Sequence, residues 1–166
     1  RDDQLNWWWD GIARSHAALG QYEEAAAAYR RGASLDEGGA LNVSQIVNLG
    51  WMQIDFGRPE DALKTLAAFD DPKRKGSPFG EMQVRLARGC ARALAGRPAE
   101  AAADLAYITA HDKDAPGART ILLLCMNDMD GAASALVERL RDPERRVDAL
   151  VDGGHVAVDP LGDVED

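Results

Sequence analysis

The chain has 166 residues, with 19 Lys plus Arg against 28 Asp plus Glu, for a formal net charge of -9. That length suits one domain with a real core, and the acid excess speaks against a nucleic-acid binder, which needs a basic footprint. Of the 46% apolar residues, 29 positions are alanine and only 6% of the chain is aromatic, so helix formers dominate and an all-β fold is excluded. In chain order, periodicity predicts helices over about 4–19 and 22–35, then 42–56 and 59–68. Two further pairs follow, 79–95 with 98–110 and 117–127 with 129–141. A last amphipathic piece, Pro143 to Val151, carries Val147, Leu150 and Val151 on one side and is expected to cap the final pair. After it, 153–166 reads as a flexible acidic tail.

The pairs share one punctuation. Gly20-Gln21-Tyr22-Glu23-Glu24-Ala25, Gly57-Arg58-Pro59-Glu60-Asp61-Ala62 and Gly96-Arg97-Pro98-Ala99-Glu100-Ala101 each run Gly, polar, Tyr or Pro, acidic or small, acidic, Ala. The glycine ends one helix in a left-handed residue, the proline opens the next, and the acids face the new helix's dipole. Asn127-Asp128-Met129-Asp130-Gly131-Ala132 is a weaker fourth copy, with Asn in the place of Gly.

These copies resemble the tetratricopeptide repeat (TPR), whose pattern is W-x2-L-G-x2-Y, A-x3-F, P. The first copy gives Trp9-x2-Ile12-Ala13-x2-His16 and Ala25-x3-Tyr29. The second gives Ile46-x2-Leu49-Gly50 and Ala62-x3-Leu66. The third gives Gly89 and Ala101-x3-Leu105, and the fourth Ala132-x3-Leu136. The resemblance implies an all-α fold: a right-handed α-solenoid of antiparallel helix pairs, with three clear repeats, one weak repeat and a C-terminal capping helix. Its repeats are 6–39, 43–76, 81–114 and 115–141, with a cap over 143–151, inside a helical domain over 1–152.

The third copy departs from the pattern. Aligned on Gly96, Arg85, Arg88 and Arg92 fall where the family buries large apolar residues, and unpaired guanidiniums there would be costly. A one-residue slip resolves this, burying Val84, Ala87 and Ala91 behind a corner one residue shorter. The arginine stripe then lines the concave groove, where the family holds peptides. The competing reading is a solvated stripe paired with Asp55 or Glu81. By the same resemblance Trp7, Asp10 and Arg14, and Val47, Trp51, Ile54 and Asp55, are groove candidates. The family's chaperone-tail clamp uses Lys and Asn at set groove positions. Here those sites hold Asp10, Arg14, Val47 and Trp51, and only Asn48 agrees.

No phosphate loop, dinucleotide fingerprint, metal motif or nucleophile elbow occurs, so no catalytic residue, metal or cofactor is expected. Cys90 and Cys125 read as two buried free thiols. No apolar run approaches about 18 residues, so no membrane span is expected, and no signal-peptide pattern opens the chain, which favours a cytoplasmic setting. The leading expectation is a non-enzymatic module that binds a protein or peptide partner, with acidic groups on it if the arginine stripe takes part. The alternatives are an oligomerisation unit or homo-oligomer, a secretion-chaperone-like adaptor, and a regulatory domain whose acidic tail binds its own arginines.

Overall fold

The computed structural model describes residues 4–74 and 76–156. Among them are nine α-helices and no strand longer than an isolated bridge. They are α1 (Leu5–Ala18), α2 (Tyr22–Ala33), α3 (Ser44–Asp55), α4 (Pro59–Leu66), α5 (Pro78–Leu94), α6 (Pro98–Ala110), α7 (Ala118–Cys125), α8 (Met129–Arg141) and α9 (Arg146–Val156). The chain is all-α and repeat-like. Helix α1 packs on α2, α3 on α4, α5 on α6 and α7 on α8. Each pair also touches the next, through α2 with α3, α4 with α5, and α6 with α7. The odd-numbered helices α3, α5 and α7 meet in sequence along one side. No helix among the described residues is long and apolar enough to cross a membrane.

The four corners have one geometry. Gly20, Gly57, Gly96 and Asn127 all sit at positive φ, with values of 71°, 67°, 74° and 58°. At each, the corner N–H donates three residues back and the next N–H donates five residues back. At Gly96 these bonds are to the Ala93 carbonyl (3.1 Å) and from Arg97 to the Arg92 carbonyl (2.8 Å). The same pairs close Gly20 on Ala17 and His16, Gly57 on Ile54 and Gln53, and Asn127 on Leu124 and Leu123. This doubly bonded end satisfies carbonyls that a helix terminus otherwise leaves open. Proline then begins α4 and α6, where its missing N–H costs nothing, and Asp128 caps α8 by accepting from the Gly131 N–H (2.9 Å).

The third corner is therefore not one residue shorter, and the expected slip does not occur. Counted from their corners, Ala13, Gly50 and Gly89 are equivalent, and all three are buried. Val84, Ala87 and Ala91 are buried as well, but in the unslipped register. A Cβ on Gly50 would stand 3.2 Å from Leu66, and one on Gly89 would stand 2.8 and 2.9 Å from the Leu122 methyls and 3.2 Å from Asp104 Cβ. These small residues let the backbones approach. The alanines that open the second helices, Ala25, Ala62, Ala101 and Ala132, are buried for the same reason.

The start of α3 is built from a distance. The tight turn at Gly38 and Gly39, both at positive φ, returns Glu37 toward the helix. Its carboxylate accepts from the Val43 N–H (2.9 Å), the Ser44 N–H (3.0 Å) and the Ser44 hydroxyl. Burial opposes that charge, yet the bonds from Ser44 and Val43 outweigh it and hold the carboxyl below the ordinary glutamate value.

Two expectations are corrected at the C-terminal end. Cys90 and Cys125 are not free thiols: they form a disulfide that ties α5 to α7. The periodicity of each helix places both cysteines on an apolar face but carries no information about which faces meet. Helix α9 also runs to Val156, past the expected cap boundary at 151, and its side chains do not lie as expected. Over positions 146–151, Ala149 is buried, while Val147, Leu150 and Val151 are exposed. Positions 157–166 of the expected tail lie outside the described residues.

Gly89→Ala should cost about 1–3 kcal/mol, since the new methyl meets side chains packed from two directions; urea unfolding would show it, and an unchanged midpoint would refute the close approach. The disulfide spans 35 positions, and closing a loop of that length stabilises by about 3–4 kcal/mol. A midpoint unmoved by reductant, with both thiols shown free by mass, would contradict that link.

Candidate functional site

The arginine stripe is the first site the register decides. Without a slip, Arg85, Arg88 and Arg92 stand where the second pair has Ile46, Leu49 and Gln53. They lie partly buried between helices and converge on Asp104 of α6, whose side chain is fully buried. The Arg92 guanidinium donates to Asp104 at 2.7 Å and Arg85 at 3.4 Å, while the nearest approach of Arg88 is 3.9 Å. Carboxylates at the margin complete the balance. Glu81 binds Arg85 at 2.9 Å, Asp70 lies 3.5 Å from Arg88, and Glu100 lies 3.5 Å from Arg92. Arg85 also stacks 4.5 Å over the Tyr107 ring. Burial works against the charge on Arg85, but Glu81 and Asp104 together raise its pKa above the ordinary arginine value.

An alignment of the first helices alone does not reveal Asp104. Aligning the second helices as well places Asp104 in register with Ala28, Thr65 and Ala135. The partner positions are His16, Gln53, Arg92 and Leu123. One contact thus recurs in different chemistry. It is a hydrogen bond from Thr65 to Gln53 (2.8 Å), an ion pair between Arg92 and Asp104, and apolar packing of Leu123 with Ala135. The expected Glu81 partner is present. Asp55 is not among the ion-pair partners of the stripe; the guanidiniums pair with Glu81, Glu100 and Asp104 of their own helix pair and with Asp70 of the preceding one.

The other predicted groove residues separate into two groups. Asp10 is buried, and accepts from Asn48 Nδ2 (2.7 Å) and Arg14 Nε (3.0 Å), so it links α1 to α3. Arg14 itself is open to solvent, with its side chain 72% exposed. Tyr29 lies beneath; burial first, then the Asp10 charge, push its hydroxyl up to about 12. Asp55 is crowded enough for desolvation to raise its carboxyl, though its edge is exposed. Val47 is buried, and Trp51 and Ile54 pack against the cluster of Met82, Leu86 and Cys90. Trp51 and Ile54 thus serve packing between pairs. Trp7 is exposed, at the margin of a shallow depression along α1.

A larger opening than the depression along α1 lies elsewhere. A trough of about 860 Å³ runs over α7 and α8 toward α5, with α9 at its far margin. Leu86, Ile121, Leu124, Ala132, Leu136 and Val151 form much of its apolar wall. Its charged lining residues are Arg139 and Asp148, and the hydroxyl of Thr120, which also lines it, is buried without a hydrogen-bond partner. The sequence signal for this trough is the apolar side of α9, which reads as a cap on the final pair. The exposed Val147, Leu150 and Val151 leave the trough open. Size and apolar lining match sites that accept an apolar ligand or side chains of a partner.

Comparison of the chain with family models, with curated proteins and with solved structures gives no match.

Asp104→Asn should destabilise by about 2–4 kcal/mol, because three guanidiniums lose their central charge. The fourfold change Arg85→Ile, Arg88→Leu, Arg92→Gln and Asp104→Thr copies the second pair into the third, and should recover most of that loss. Thermal unfolding of both variants tests the register; a fourfold variant less stable than Asp104→Asn would refute it.

Proposed function

We propose that the chain is a non-enzymatic protein-binding module: a right-handed α-solenoid of TPR-like helix pairs that holds an amphipathic helix of a partner in its C-terminal trough. The observation that carries this reading is the open apolar trough beside α9, walled by Leu86, Ile121, Leu124 and Leu136. Four identical corners and the chain-order packing of pairs support the solenoid. A helix fits better than an extended acidic peptide. The trough offers apolar wall with little charge, while the arginines that would hold carboxylates already have acids of their own. A self-bound acidic tail loses support for the same reason.

The disulfide bears on setting. Such bonds persist where thiols are not kept reduced, so we propose an oxidising compartment in place of the expected cytoplasmic one.

Fluorescence polarisation with a panel of amphipathic helical peptides tests the site. Met129 lines the trough and is exposed, so Met129→Glu leaves the core alone. It should weaken the best peptide at least about tenfold, equivalent to about 1.4 kcal/mol. Equal binding by both proteins, or no peptide bound by either, would overturn the assignment.

A further inference from the structure

The two ends of the helix array carry matching halves of one internal contact. In the interior, an odd-numbered helix docks on the preceding pair through a fixed stripe. For α3 it is Gln45, Leu49, Met52 and Phe56. Leu49, Met52 and Phe56 pack on the cluster of Ala25, Ala28 and Tyr29, and Gln45 lies against Gly32, where a Cβ would meet it at 3.0 Å. For α7 the equivalent places hold Ala115, Arg119, Leu122 and Met126. Three of these pack in the cluster that contains Ile108 and Leu105 of α6, and Arg119 pairs with Glu138.

Counted from Gly20, the same places in α1 are Trp8, Ile12, Ser15 and Leu19. Here they are open: Trp8 is 67% exposed, Ile12 41% and Leu19 71%. None of the four is charged, and a Cβ on the neighbouring Gly11 would meet nothing within 4 Å. At the other end, Ala132, Ala135 and Leu136 of α8 hold the places of Ala25, Ala28 and Tyr29 after their corner. Those α2 residues receive α3. In α8, Ala132 and Leu136 instead line the trough, and the Val147, Leu150 and Val151 side chains of α9 stay exposed.

We infer that the occupant of the trough is α1 of a second copy of this chain, seated through Trp8 and Ile12 as α3 is seated on α2. The inference rests on the trough being a helix-binding site and names its partner. Interior docking is repeated between chains at this joint, so the contact is head-to-tail. A head-to-tail joint leaves one free end on each side and therefore grows into chains or closes into rings. Two copies of net charge -9 repel at a distance, and the uncharged stripe with its mainly apolar trough removes that opposition at the contact.

Two single-ended variants test this on the full chain. Trp8→Glu spoils only the donor stripe. Ala133→Glu spoils only the trough, which Ala133 lines from an exposed position. Light scattering should find species of two or more copies for the unmodified chain, growing with concentration, and a monomer for each variant alone. Mixed together, the variants should give one dimer of twice the monomer mass and nothing larger, since one intact joint remains. An unmodified chain that stays monomeric overturns the inference, as does Ala133→Glu that still associates, which would mark a symmetric α1 contact. Peptide binding to the trough, measured on Trp8→Glu, separates the two readings. If it persists while the unmodified chain is monomeric, only the second copy is wrong as partner; if it is absent too, the trough itself is wrong.

Discussion

Everything in this molecule hangs on the residue at positive φ between the helices of each pair. A left-handed residue costs L-amino acids with a side chain roughly 1–2 kcal/mol, so glycine holds three of the four corners and asparagine the fourth. The two backbone bonds that close each corner fix the phase of both flanking helices at once. Once phase is fixed, a residue's distance from its corner decides its neighbours. That is why Gly50 and Gly89 face crowded side chains while the glycines of the corners face open space. It is also why position alone identifies Arg92 with Gln53, and Asp104 with Thr65.

The third pair shows how strongly the corner governs. Hydrophobicity alone would rotate α5 until its arginines reached water. The rotation would break the Gly96 and Arg97 bonds and drive a larger residue into the gap that Gly89 leaves for Leu122. Keeping the phase and compensating the charge is the alternative, and one fully buried carboxylate with three at its margin supplies it. Buried ion pairs give little net stability over apolar packing, yet removing one member is costly. The cluster is therefore best understood as a specificity device: α5 with its three cations matches only a second helix that carries Asp104.

Legibility in the sequence follows the range of the cause. Corners, proline starts and acidic first turns are local, and helices such as 98–110 and 129–141 can be read to the residue. The all-α fold follows from the same signals. What fails depends on which faces meet. The expected slip of α5 comes from judging one helix without its partner, although Asp104 stands in the sequence to be aligned. The Cys90–Cys125 bond joins helices of different pairs, and the spacing of the cysteines says nothing about that meeting. The candidate groove rests on positions facing one side of the odd helices. Two of those, Trp51 and Ile54, hold neighbouring pairs together, and Val47 is buried. The trough is hidden because a helix with an apolar side reads as a cap whether or not that side is turned inward.

The distribution of exposed apolar side chains follows from linear packing. An interior pair has neighbours on two sides, and its docking stripe is buried. A terminal pair has one full pair beside it, and part of its outer apolar surface stays exposed. Leu5, Trp7, Trp8, Ile12 and Leu19 collect at one end and Met129, Val137, Val147, Leu150 and Val151 at the other, while Leu41, Phe79 and Leu94 are exposed between them. An array that had evolved only to be capped would place polar groups on those stripes, as the outer faces of Arg30, Arg31 and Lys64 do on the second helices. It retains instead the apolar residues of an interior joint. The ends are thus the places where this architecture keeps unused docking capacity, and binding is more sensibly sought there than along α3, whose Trp51 and Ile54 are already committed to packing.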